Sequence, residues 1–303
     1  MQISIIGSLS GGGGSPVDAT VDFLAQARDE GFRRVWMTQM PYEPDLLTVL
    51  AVALREVDGI EVGTGVVPIQ NLHPMLMAQR ALTVNLIAGG RFILGLGMTH
   101  AAVTEGMWGI PWDKPVRRLN EYLDGLLPLL AGEAADATGE TVTTRGAVQI
   151  PGAPRPDVYI AALGPQLLKI AGRRTAGTVT WMTGPKTLGG HVGPALRAAA
   201  GDRPVRVVAA LPVAVTDDVD GARAQAAEQF AMYGHLPSYR AMLEREGYAG
   251  PADAALIGDE ATVTARIEEL RGAGVDEYVG VPFDASPEVR ARTRALLRTL
   301  DSD

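Results

Sequence analysis

Two stretches of the chain join glycine to proline where an apolar run ends: Ala162-Leu163-Gly164-Pro165 and Met182-Thr183-Gly184-Pro185. Proline loses nothing at the first position of a helix, because that N–H has no intrahelical partner. Glycine lets a ligand approach the backbone closely, and the helix N-terminus that follows favours an anion. Lys186 adds a positive charge at the second turn. Together the turns suit a phosphate-bearing cofactor; each alone is also an ordinary strand-to-helix connection. Gly95-Leu96-Gly97-Met98-Thr99-His100 lacks the third glycine of a dinucleotide fingerprint, but its alternating glycines would let a flat ring lie near backbone. Of His73, His100, His191 and His235, only His100 falls at the C-terminal end of an expected strand. A histidine there suits a general acid, a polariser of a hydride site or a donor to a cofactor carbonyl, or is an ordinary loop histidine. His73, before Pro74 at the start of a helix, suits a capping or loop role. Trp108, Trp112 and Trp181 suit either an apolar pocket for a planar ligand or packing at a rim. No histidine pair has metal-ligand spacing, and no Gly-x-Ser-x-Gly elbow occurs, so neither a metal site nor a serine hydrolase is expected.

Composition narrows the field further. The 303 residues include no cysteine, which excludes disulfides and thiolate chemistry. A formal charge of −8 argues against a nucleic-acid partner. With 47% hydrophobic and 20% charged residues, the chain can bury a sizeable core. The opening Met1-Gln2-Ile3-Ser4-Ile5-Ile6 reads as a strand rather than a signal peptide, and glycine, proline or charge breaks every apolar run short of a membrane span. A cytoplasmic protein acting on a small molecule is expected. Lys114, Lys169 and Lys186 are the only lysines, so Schiff-base chemistry has few candidates.

Positioning such residues falls to an alternation of short apolar runs and helical periods. Strands are expected at 2–7, around 35–37, and at 60–67, 91–97, 157–162, 178–182, 205–215 and 277–282, with helices between them. A two-stranded excursion is expected from 140–144 and 147–150, joined by Arg145-Gly146. A mainly helical insertion covers 217–250, and Gly11–Gly14 allows another after the first strand. Eight βα units in this length predict a single-domain (β/α)8 TIM barrel over residues 1–303, with an open doubly wound sheet as the alternative. The site then lies at the C-terminal strand ends.

The run Val62-Gly63-Thr64-Gly65-Val66-Val67-Pro68, with His73-Pro74, Ala78-Gln79 and Gly89-Gly90-Arg91-Phe92-Ile93-Leu94-Gly95-Leu96-Gly97, resembles the bacterial luciferase-like flavin and deazaflavin oxidoreductases. Ala161-Ala162-Leu163-Gly164-Pro165 continues the likeness, which covers nearly the whole chain. Glu105-Gly106-Met107-Trp108-Gly109, Thr180-Trp181-Met182-Thr183-Gly184-Pro185 and Leu236-Pro237-Ser238-Tyr239-Arg240 resemble an actinobacterial branch described as using coenzyme F420. The resemblance implies a luciferase-like barrel with insertions after strands four and seven, commonly a homodimer, holding F420 or FMN at its mouth. It also implies a non-proline cis peptide at Gly65–Val66. Cofactor contacts then fall on Gln39, Gly65, Val66, Gly97, Met98, Thr99, Ala162, Leu163, Gly164, Pro165, Thr183, Gly184, Pro185 and Lys186. Met40, Trp108, Trp112 and Trp181 line the substrate side, and His100 is the catalytic candidate. Sugar-phosphate dehydrogenases of this superfamily carry an acid and a histidine where Gln39 and Met40 stand, and a glutamate where His100 stands. Without that base, reduction of an activated C=C, C=N or C=O suits the site better than sugar-phosphate oxidation. An FMN-dependent monooxygenase and a non-catalytic flavin-binding protein are the alternatives.

Overall fold

A computed structural model describes residues 1–9, 14–284 and 286–301. The glycine-rich stretch expected to carry an insertion after the first strand lies largely outside the described residues.

In chain order the elements begin β1 (Gln2–Gly7), α1 (Pro16–Asp29), β2 (Arg34–Met37), α2 (Leu46–Glu56), β3 (Glu61–Thr64), β4 (Val67–Pro68), α3 (Pro74–Ile87), β5 (Phe92–Gly97) and α4 (Ala101–Thr104). They continue with α5 (Pro115–Leu130), β6 (Ala135–Ala137), β7 (Thr144–Gly146), β8 (Val158–Ala161), α6 (Pro165–Arg174), β9 (Gly177–Trp181), α7 (Pro185–Thr187), a wide π turn (Leu188–Val192) and α8 (Gly193–Ala200). The last are β10 (Arg206–Val215), α9 (Val219–Gln229), α10 (Pro237–Glu246), β11 (Leu256–Gly258), α11 (Glu260–Gly272), β12 (Glu277–Pro282) and α12 (Pro287–Thr299). Strands β10, β12, β1, β2, β3, β5, β8 and β9 neighbour one another in that order and β9 pairs with β10, which closes the (β/α)8 barrel.

Contacts cluster into two compact units, one of Met1–Ile6, Glu30–Phe32 and Ala162–Asp303, the other of Gly7–Asp29 and Arg33–Ala161. In the second, Trp36 is buried with its ring edge-on to Tyr159, centroids 5.8 Å apart. Gly63 leaves room for that indole: a Cβ there would lie 2.6 Å from it. Asp45 caps α2 by accepting from Thr48 N, and His73 caps α3 by accepting from Met75 N, as its place before Pro74 predicts. In the first unit, β12 packs between β1 and β10 and buries Tyr278 and Val279. Asp259 and Ser286 cap α11 and α12.

The structure corrects the sequence at two places. The excursion pairs β6 with β7 through Ala135↔Gly146 and Ala137↔Thr144, so Arg145 and Gly146 lie in a strand and not in its turn. The reason is Glu121 on α5, whose carboxylate accepts from Glu140 N, Thr141 N and Val142 N and bends that segment into a loop. The third strand, expected unbroken over 60–67, stops at Thr64 and resumes as β4 at Val67.

Candidate active site

That interruption is the centre of the second unit's strand ends. The Gly65–Val66 peptide is cis, the bond the resemblance marked. Thr64 Oγ1 donates to Gly95 O and accepts from Gly95 N, both at 2.8 Å, tying β3 to β5 just before the bulge. Beyond it, Val67 and Pro68 pair with Leu96 and Gly97. A Cβ on Gly97 would collide with the Val66 side chain, and one on Gly95 with Thr64 O. The alternating glycines therefore make room for the chain's own bulge, a different reason from the close ligand approach expected of them.

The other predicted residues of this unit follow β2 and β5. Gln39 has its amide committed: Oε1 accepts from Leu46 N at 2.7 Å, and Nε2 donates to Met40 O and Pro44 O. This fixes the loop carrying Met40 into α2. His100 precedes α4 in extended conformation, half-buried, with burial holding its imidazole below the usual histidine range. Glu105 accepts from Trp112 N at 3.0 Å and so closes the segment 105–112 that carries both tryptophans. Met98 and Thr99 are half-buried beside His100. Sequence reasoning missed Gln70, whose Oε1 accepts from Thr99 N at 3.4 Å while Arg118 donates to its carbonyl. Gln70 Nε2 and Arg118 Nε are buried without a hydrogen-bond partner, leaving donors next to the strand end that carries His100.

In the first unit, the two Gly-Pro turns differ. At Gly164-Pro165, α6 begins without a side-chain cap, and a Cβ on Gly164 would meet nothing within 4 Å. Its backbone amides are open to an anion. Leu163 O accepts from His191 Nε2 at 3.0 Å, a contact made by the π turn that no periodicity in the sequence announces. At Gly184-Pro185, by contrast, the helix start already holds a carboxylate. Glu246 Oε1 accepts from Lys186 N at 2.9 Å and Oε2 from Thr187 N at 2.7 Å. Thr183 and Gly184 are buried, whereas the Lys186 side chain is exposed. Met182, wholly buried and left-handed at φ 54°, turns the chain from β9 into this segment. Trp181 meets Phe230 and Tyr233 edge-on at 5.8 and 5.7 Å, and its buried indole N–H has no acceptor.

No three His, Cys, Asp or Glu residues are grouped to hold a metal ion among the described residues. Nor, among them, is any helix long and apolar enough to cross a membrane.

Comparison with known proteins agrees with this architecture. A family model described as luciferase-like monooxygenase matches residues 4–277. The chain belongs to that family. This luciferase-like protein is 30% identical over 246 residues to the 5,10-methylenetetrahydromethanopterin reductase of Methanolobus tindarius, covering 80% of this chain and 75% of that one. Its fold superposes on the coenzyme F420-dependent tetrahydromethanopterin reductase of Methanopyrus kandleri with a TM-score of 0.80 at 22% identity, over 98% and 96% of the two chains. The FMN complex of the oxygenating constituent of Pseudomonas putida 3,6-diketocamphane monooxygenase gives 0.76 at 18% identity, over 98% and 97%.

Proposed function

We propose that this luciferase-like protein is an oxidoreductase that passes a hydride between coenzyme F420 and a small organic substrate, acting as a reductase of an activated C=C, C=N or C=O. The observation that carries the reading is the end of β5. His100 follows β5 three residues after Gly97, which packs on the Val66 side chain, and β2 ends toward Gln39 and Met40, with the Glu43 carboxylate held on Met40 N.

The residues present fit a phosphate-bearing flat cofactor. In the second unit the bulge, Gly97, Met98 and Thr99 give a ring-sized backbone support, with Gln70 setting Thr99. In the first unit, taken by itself, the uncapped start of α6 at Ala162-Leu163-Gly164-Pro165 suits an anion, with open space at Gly164. We place no phosphate at Thr183-Gly184-Pro185-Lys186, where Glu246 already sits on the amides.

When bound, F420 supplies or accepts the hydride. The chain's own part is orientation and polarity. His100 holds a proton on a ring nitrogen and would donate a hydrogen bond to a carbonyl oxygen of substrate or cofactor, and the proton that accompanies the hydride would come from His100 or from solvent. The Trp108–Trp112 loop, tied by Glu105, and the Trp181 cluster shield apolar surface from water. A homodimer in the cytoplasm completes the proposal. Mixing the protein with chemically reduced F420 and a panel of enones, imines and ketones tests it: return of the oxidised F420 absorbance with one class supports the reading, and none with any class contradicts it.

A further inference from the structure

The insertion between β10 and β11 meets the β9–α7 segment at two places, apart from its contacts with Phe283 after β12 through Phe230 and Gln225. At the first, Phe230 and Tyr233 pack edge-on against Trp181 at the end of β9, Phe230 meets Phe283, and Tyr239 meets Tyr233 at 5.1 Å. At the second, Glu246, the last residue of α10, places both carboxylate oxygens on the amides of Lys186 and Thr187. Gly184 is shaped for this contact: a Cβ there would lie 2.6 Å from the Glu246 carboxyl carbon. Thr187 Oγ1 also donates to Met242 O at 3.5 Å, one turn earlier on α10.

Charge-assisted bonds from a carboxylate to a helix N-terminus are stronger than neutral ones, and the helix dipole adds to them. The aromatic edges, by contrast, are individually weak and tolerate sliding. The charged fastening of the insertion to the β9–α7 segment is therefore Glu246. Gly247 follows at φ 89°, ending α10 with the left-handed turn that stops the helix at this point.

We propose that Glu246 is a positioning residue: it seats the insertion on the Gly184-Pro185 turn and thereby fixes the aromatic wall of Trp181, Phe230, Tyr233 and Tyr239. The wall's use as the substrate-facing surface rests on the function proposed above; the fastening itself does not. The second Gly-Pro turn is then a socket for the chain's own carboxylate rather than for a cofactor phosphate.

The test compares E246A and E246Q with the parent protein by hydrogen–deuterium exchange, tryptophan emission and F420 titration. E246A is expected to raise exchange across 231–246 by about tenfold or more, the loss of two charge-assisted bonds. Trp181 emission should shift red in the same variant, identified by its absence in W181F/E246A. E246Q, which keeps one acceptor oxygen, should recover part of the protection. F420 affinity should stay within about threefold, because the anion site lies at the other turn. If E246A fails to fold, E246Q carries the exchange measurement. Unchanged exchange at 231–246 and unchanged Trp181 emission would overturn the fastening. A large loss of F420 affinity with those signals unmoved would place the phosphate at the second turn instead. Failure of F420 to bind the parent protein would touch the proposed function alone.

Discussion

The side chain of Val66 occupies the space beside Gly97 that any larger residue there would need. A bulge on one strand and a glycine on the next thus form a single packed unit, and the end of β5 takes its shape from the pair. G97A should destabilise by about 1–3 kcal/mol, the usual cost of overpacking. G164A, at φ −78° with open space around its Cβ, should stay within about 0.5 kcal/mol. Urea denaturation of the two variants checks the contrast.

His100 gives the site a pH signature. Burial lowers its folded pKa below the ordinary 6.5, so the unfolded chain binds the proton more readily. Its neutral state is therefore fully accommodated above the unfolded value, and stability falls as pH drops below it. H100N should flatten the stability profile in that window, measured by denaturation at a series of pH values.

Glu121 works in the opposite chemical sense with the same pH direction. Burial alone would raise its carboxyl, but hydrogen bonds from Thr141 and Val142 outweigh that and pull it below the ordinary 4.5. The loop 139–143 should hold above that range and loosen as pH falls through the lowered value. E121Q should speed amide exchange at Glu140, Thr141 and Val142 at neutral pH, because the amide cannot accept at both former oxygens.

Each compact unit is assembled from separated pieces of chain, so neither is complete until the chain has crossed between them. We propose that residues 1–303 form one domain, which is then expected to unfold in one step. Near- and far-ultraviolet circular dichroism should give coincident urea transitions; two separated transitions would show independent domains.

Much of this was legible in the residues because it follows local rules. Ser286-Pro287 and His73-Pro74 announce helix starts, and apolar runs between helical periods announce the barrel strands. The cis peptide was legible only through resemblance, since no local propensity favours it. Glu246 and Gln70 were missed for another reason. Their partners at Lys186 and Thr99 lie far along the chain, and a carboxylate on a helix end looks solvated until the fold brings a second helix to it. Gln39 shows the converse: its position at a strand end is as expected, but its amide holds the loop to α2.

We propose that the strand ends of this protein bind a deazaflavin. Titration of the purified protein with F420 and, separately, with FMN, followed by fluorescence quenching, tests it most directly. Saturable F420 binding at least about tenfold tighter than FMN binding, a difference of about 1.4 kcal/mol, is expected. Saturable FMN binding with no response to F420 would contradict it.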